Sequence, residues 1–520
     1  MSKVAPVPTQ SKAPDGTVYE IPSDSAIAAG FEELRGNVEE RRSQGLKIVV
    51  VQGLGFVGAA VAAVLAGARD SAGKPVFFVI GADLATPEAY WKVARINSGQ
   101  FPVPSPDPAL AELLGAAVAT TGNLRAATHE EVYGLADVIV VDVPLDAAEC
   151  VTEEGSEIRV RIAPFEKAID VVGRRMRPDA LVLLETTVPV GACEKIVLPL
   201  LTRLRQGRGI FEPPLLAHAY ERVMPGPRYA DSIRRFWRSY SGIDERSAAA
   251  ARDFLQAFID VDAFPAWRLP DTNSSELAKL LENSYRAVNI AFIQEWTLLA
   301  EKLEVNLFEV IESIRVRKGT HDNMRFPGFG VGGYCLTKDS LLAQWGADSL
   351  FHADVKLGMT LEALRINRAM PLHTLDLAAE LSGGALSGKR VAVAGVSYLP
   401  EVADTRNTPS EILVDALAAR QAEPLVHDPY VAVWPERPLV PMAASLEECL
   451  RNADGLILAV PHAAYRGLTA EAILQQGPRL AFVVDAQNVL SDDAARGLHS
   501  QGIRVAGVGK GHWRKRRYHE

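Results

Sequence analysis

Cys335 stands behind a glycine-rich run, Gly328-Phe329-Gly330-Val331-Gly332-Gly333-Tyr334, and just ahead of Lys338 and Asp339. Glycine lets the backbone take positive φ and approach a ligand closely. A cysteine can attack a carbonyl and hold a covalent intermediate. A second constellation, Gly53-Leu54-Gly55-Phe56-Val57-Gly58, lies far upstream, after an apolar run and before a small-residue helix. In that context the first glycine makes a tight turn, the second admits a pyrophosphate, and the third allows close helix packing. The helix N-terminus favours the phosphate charge. Asp83 closes the next apolar run. A carboxylate there takes the ribose hydroxyls and repels a 2′-phosphate, so NAD is favoured over NADP. Thiol and dinucleotide site together suggest an oxidation that passes through a thiol adduct. Lys279 and Asn283 are spaced i, i+4 and share a helix face. Lysine can stabilise a developing alkoxide, and asparagine can hold water or an oxyanion. Read alone, such a pair is more often an exposed helix face, a lone cysteine is more often structural, and Lys338 is a surface charge.

These groups need elements to place them. Residues 47–51, 76–80, 138–141 and 181–184 read as buried strands, with a helix over 59–68 and further helical stretches between them, the pattern of a parallel α/β sheet. Residues 274–303 contain no Pro or Gly and read as one long helix, suited to a spine between domains or a subunit interface; 360–381 read as a second. A new α/β pattern follows, with strands over 390–395, 423–427, 455–460 and 481–485 and a helix over 409–420. The expected fold is α/β, two Rossmann-like domains joined by a central helical domain with a long spine helix. Its expected parts are an N-terminal extension (1–45), a dinucleotide-binding domain (46–267), a central helical domain carrying the Cys335 loop (268–373) and a C-terminal α/β domain (374–520). Within the extension, residues 1–22 are rich in Pro, Ser and Lys and read as a flexible tail. Residues 23–45 read as a helix capped by Ser25, with Ile27, Phe31, Leu34 and Val38 at helical spacing.

The chain has 520 residues, 48% hydrophobic and 23% charged, ordinary for a soluble globular protein with ample cores. A net charge of −9 argues against a general nucleic-acid role, and the basic run at 510–517 reads as a solvated tail. The N-terminus lacks the apolar core of a signal peptide. No run approaches the roughly 18 apolar residues of a membrane helix. Cys150, Cys193, Cys335 and Cys449 show neither metal spacing nor a disulfide pattern, so no metal is expected and a cytoplasmic, reduced protein is the simplest reading.

Several motifs fall in one order: the Gly53 fingerprint, Arg95-Ile-Asn-Ser-Gly99, Thr186-Thr-Val-Pro-Val-Gly191, Glu221-Arg-Val-Met-Pro-Gly226, Glu276-x-x-Lys279-x-x-x-Asn283, the Cys335 loop and Asp404-Thr-Arg406. Over roughly residues 46–510 the chain resembles the nucleotide-sugar 6-dehydrogenases, the UDP-glucose and UDP-N-acetylhexosamine dehydrogenase family. The resemblance implies oxidation of a sugar primary alcohol twice, with two NAD reduced. An aldehyde forms, a thiolate adds to give a thiohemiacetal, a second hydride transfer gives a thioester, and water releases the uronic acid. Cys335 matches the family's nucleophile, and Asp339 the aspartate that orders water or assists proton transfer. Lys279 and Asn283 match the pair facing the reacting carbon, and Glu221 the glutamate proposed for thioester hydrolysis. The cofactor site implied is Gly53, Gly55, Phe56, Val57, Gly58, Asp83, Val143, Thr187 and Arg406. The sugar nucleotide would meet Gly332, Gly333 and Tyr398, and Arg317 or Arg325, which precede the cysteine loop, from the same or a neighbouring subunit. The partners implied are a nucleotide sugar and further copies of the chain, as a homodimer or higher homo-oligomer through the central helix, with no nucleic acid and no membrane.

Three positions depart from the family pattern. Val143 stands where a threonine is usual, Leu399 follows Tyr398 where a lysine is usual, and Gln487 replaces an arginine near Asp485. The Glu221–Gly226 motif resembles the N-acetylhexosamine branch, and Thr337-Lys338-Asp339 the glucose branch. The expectation is a UDP-N-acetylhexosamine 6-dehydrogenase, with UDP-glucose as the next substrate. The alternatives are a two-electron β-hydroxyacid dehydrogenase and a catalytically silent nucleotide-sugar sensor.

Overall fold

The structure is a computed structural model that describes residues 9–103, 105–152, 155–223 and 226–514. Met224 and Pro225 of the Glu221 motif, the first eight residues of the expected tail, and the basic residues after Arg514 lie outside the described residues. The chain forms two compact units, residues 1–281 with 341–355, and residues 282–340 with 356–520.

The first unit is built on an eight-stranded sheet. Its order is Trp267–Arg268, Ser239–Gly242, Leu215–His218, Leu181–Leu184, Val138–Val141, Lys47–Gln52, Phe77–Ala82 and Leu124–Ala127. All neighbours are parallel except Leu215–His218 with Ser239–Gly242. The central strand is apolar on both sides because both sheet faces are covered. On one face the helix Phe56–Gly67 buries a run of Ala, Val and Leu, and its small residues let the helix Pro108–Ala119 come close. On the other face the connection from Leu124–Ala127 to Val138–Val141 is a single short turn, Glu130–Leu135. That turn cannot cover Ile48, Val50, Phe78 and Ile80. The N-terminal helix Asp24–Ser43 lays Leu34 and Val38 on them instead. Its cap is Ser23 rather than Ser25: the Ser23 Oγ accepts the Ala26 N–H at 3.4 Å.

The flexible-tail reading is corrected for residues 9–22. They form an antiparallel hairpin, Gln10–Lys12 with Val18–Glu20, in which Ser11 and Ala13 are buried. Composition could not reveal this, because the groups that fix the hairpin, Pro87, Trp91 and Arg95, lie some eighty residues away. A second hairpin, Ala147–Thr152 with Gly155–Val160, follows the Val138–Val141 strand.

The second unit carries a five-stranded, all-parallel sheet in the order Glu423–His427, Arg390–Ala394, Gly455–Leu458, Phe482–Asp485 and Arg504–Gly507. Helices Gly358–Leu381 and Pro409–Ala419 cover one face. The spine helix, Thr272–Lys302, starts in the first unit and ends in the second. Among the described residues no helix is long and apolar enough to cross a membrane, and no cluster of His, Cys, Asp and Glu could hold a metal ion.

Candidate active site

In the first unit, Gly53 has φ +92° and donates its N–H to the Ala82 carbonyl at 2.8 Å. A Cβ on Gly58 would lie 1.9 Å from the Gly53 carbonyl oxygen, so only glycine closes this turn. The helix that follows begins at Phe56 after Gly55, with no side-chain cap and no acid in its first turn. A helix N-terminus of this kind, with no side-chain cap and no acid, fits a dinucleotide pyrophosphate. Asp83 accepts the Leu54 N–H at 3.1 Å and the Leu84 N–H at 2.8 Å, and it is ion-paired with Lys92. Sequence reasoning missed Lys92, which lies on the next helix, Tyr90–Asn97, with no spacing signal to mark it. Thr187 is buried and Val143 half-buried on the loops after neighbouring strands. These groups suit NAD, which when bound supplies the hydride acceptor.

Beside that cradle is a buried charged group. Lys279 Nζ donates to the Glu221 carbonyl at 2.8 Å, lies 3.6 Å from Glu221 Oε1, and stands 5.5 Å from the Tyr220 ring centroid. The Glu221 carboxylate accepts the Val223 N–H at 2.5 Å. Glu185 is ion-paired with Arg238 nearby. Burial, then the Glu185 and Glu221 charges, push the Asp142 carboxyl well above the usual carboxylate range. Asp142 and Glu185 carried no sequence signal, since each follows an apolar strand and reads there as a loop residue. Two further buried contacts fix the spine helix. Glu276 accepts the Gly191 N–H at 2.6 Å and the Cys193 N–H at 2.8 Å, and burial pushes its carboxyl up to about 7. His218 Nδ1 meets Ser275 Oγ at 2.7 Å, and burial, then Lys279, pull its imidazole down to about 3.

In the second unit, the glycine run bends at Gly330 (φ +110°) and Gly333 (φ +85°). A Cβ on Gly333 would meet the Tyr398 ring at 2.7 Å, and one on Gly332 would meet Tyr398 Cβ at the same distance. Tyr398 thus packs on the turn that presents Cys335. The Cys335 carbonyl accepts the N–H groups of Lys338 (3.1 Å) and Asp339 (3.0 Å), which starts the helix Asp339–Trp345 directly behind the thiol. Asn283 Nδ2 donates to Asp339 Oδ2 at 2.6 Å, and Lys338 Nζ is 3.1 Å from Asp339 Oδ1. All three are buried, so Lys338 is not the surface charge it resembled. Lys338 and Arg406 both stand over the Tyr334 ring, and Arg406 makes a forked pair with Asp404 at 2.9 and 2.6 Å. Gln487 packs on Gly328 at the start of the run. Arg317 and Arg325 are exposed on the segment before it.

Three sequence profiles of one family match the chain in order. They are the UDP-glucose/GDP-mannose dehydrogenase family's NAD binding domain over residues 46–235, its central domain over 273–369 and its UDP binding domain over 392–492. The chain belongs to this family. As a member it is an NAD-dependent oxidoreductase that acts on a nucleotide sugar. The dehydrogenase is 30% identical to a UDP-N-acetyl-D-mannosamine dehydrogenase of Pyrococcus horikoshii, over 89% of this chain and 99% of that one. It resembles the crystal structure of an NDP-N-acetyl-D-galactosaminuronic acid dehydrogenase from Methanosarcina mazei, with a TM-score of 0.73, 28% identity and coverage of 92% and 99%. It also resembles a UDP-glucose dehydrogenase from Pyrobaculum islandicum, with a TM-score of 0.72, 25% identity and coverage of 89% and 98%.

Proposed function

We propose that this dehydrogenase oxidises a UDP-N-acetylhexosamine through a covalent adduct on Cys335. The carrying observation is the placement of Cys335 on a glycine turn, immediately ahead of the buried Asn283–Asp339–Lys338 group. The N-acetylhexosamine choice rests on the Glu221 motif and on the relatives named above, two of which act on N-acetylated sugars by name.

The roles follow from the chemistry of each side chain. Lys279 stabilises the alkoxide that develops as the first hydride leaves, and Asn283 orients the oxygen. Cys335 adds to the aldehyde; the thiohemiacetal then loses a second hydride to give a thioester. A thiol suits this step because it both attacks and leaves readily. Asp339 orders water or assists proton transfer, and Glu221 is the base that the family motif assigns to hydrolysis of the thioester. Gly53, Gly55, Phe56, Val57, Gly58, Asp83, Val143, Thr187 and Arg406 serve the cofactor. Gly332, Gly333, Tyr398, Arg317 and Arg325 serve the sugar nucleotide.

The same reading places the protein in the cytoplasm as a homo-oligomer. Along the spine helix Leu277, Leu281, Tyr285, Phe292 and Trp296 form an exposed apolar stripe; Leu281 is 63% and Tyr285 57% exposed. An apolar stripe of this extent marks an association surface, and a second copy supplies a matching one by two-fold symmetry.

Cys335→Ser tests the covalent route. The variant is expected to lose uronic acid formation by at least about 10²-fold, the scale for groups that act in the chemical step. Retained formation of the acid would reject it.

A further inference from the structure

Residues 1–45 lie outside the family profiles, which begin at residue 46. Yet their hairpin is docked on the part of the first unit that carries Asp83 and Lys92. The helix Tyr90–Asn97 has Ala89 at its N-cap position and no side-chain cap of its own. Ser11, fully buried in the hairpin, takes that place: its Oγ accepts the Trp91 N–H at 3.0 Å and donates to the Pro87 carbonyl at 2.7 Å. One hydroxyl therefore satisfies an orphan donor of the helix and pins the loop that leads into it. The Tyr19 hydroxyl receives the Arg95 Nε–H at 3.2 Å, and Asp15 is ion-paired with the same guanidinium. Ala13 packs with Trp91 and Val103, and Phe56 of the glycine fingerprint and Phe101 close the same cluster. The hairpin thus docks on the Asp83–Lys92 segment, and its Ala13 shares one apolar cluster with Phe56 at the start of the fingerprint helix.

We propose that the N-terminal hairpin is a strap that positions the adenosine end of the NAD site, with Ser11 as its principal positioning residue. The proposal rests on reading Gly53–Gly58 and Asp83 as the cofactor cradle. Ser11 acts on Lys92 through the helix start, and Ala13 and Tyr19 hold the strap in register. Without the strap the loop of residues 84–89 loses its anchor at Pro87, and the Lys92–Asp83 pair loses the fixed helix that presents it.

The test is cofactor binding by the full-length chain, read by NADH fluorescence and by competition with ADP-ribose, with UDP as a ligand for the other end of the chemistry. Ser11→Ala removes the cap. Ala13→Asp puts a charge in the cluster and undocks the strap, which proteolysis near residues 12–20 would reveal. Both variants are expected to weaken NADH and ADP-ribose by the same factor, about 3- to 10-fold, the scale of a lost cap. UDP affinity should stay unchanged. NADH affinity that is unchanged in both variants, with the strap cleavable in Ala13→Asp, would overturn the proposal; so would an equal loss of UDP affinity, which marks general unfolding. A wild-type chain that binds no NADH would overturn the cradle reading and the strap with it.

Discussion

Cys193 and Cys335 are both preceded by glycine-bearing turns, and their surroundings separate them. Cys193 is sealed from solvent, and burial together with the adjacent Glu276 holds its thiol well above the ordinary range, which keeps it protonated and unreactive. Cys449 is likewise buried, and burial pushes its thiol up to about 12. Cys335 is half-buried, on the turn shaped by Gly330 and Gly333. Limited alkylation followed by peptide mass analysis should therefore label Cys335, with loss of activity, while Cys193 and Cys449 stay unmodified. Inactivation that tracks Cys193 would reverse the assignment of roles. The cysteine, its glycines and the Lys279/Asn283 spacing were legible in the sequence because each is a local signal. Lys92, Asp142 and Glu185 were not, because what makes them interesting is burial beside another charge, and no window of sequence contains both partners.

At the scale of elements, the spine helix is fixed by buried polar contacts rather than by apolar packing alone. Glu276 uses one oxygen for the Gly191 N–H and the other for the Cys193 N–H, so an amide in its place would set an NH₂ against a donor. Glu276→Gln is expected to lower stability by about 1–3 kcal/mol, the cost of a buried unsatisfied group, measured by urea unfolding; an unchanged midpoint would count against the clamp. His218 gives a pH dependence. Its imidazole stays neutral in the folded chain down to about 3, against an ordinary 6.5. Between these values the unfolded chain binds the extra proton, so this contribution to stability is full above 6.5 and is lost as pH falls towards 3. His218→Gln should flatten the acid limb of the stability profile relative to wild type, and an identical slope would refute the assignment. The long helix Thr272–Lys302 and the strand Glu423–His427 were readable to within a residue or two. Ser239–Gly242 and Trp267–Arg268 were not, being too short and too polar to announce a strand, and the Gln10–Glu20 hairpin was not because its anchors are distant.

At the scale of the whole molecule, the order of α/β, helical and α/β segments was visible from alternating strand and helix patterns, and the family profiles follow that order. The unmatched feature is the exposed apolar stripe of the spine helix. Leu281→Glu with Trp296→Glu is expected to turn an oligomer into a monomer by light scattering, and a wild-type chain that is monomeric at working concentration would defeat the association proposed for this face.

The four-electron route through Cys335 is tested most directly by counting NADH released per molecule of UDP-N-acetylhexosamine consumed, with the mannosamine, glucosamine and galactosamine sugars tried in turn. Two NADH per sugar, with none in Cys335→Ser, is the predicted result. One NADH per sugar, or undiminished turnover in the serine variant, would contradict it.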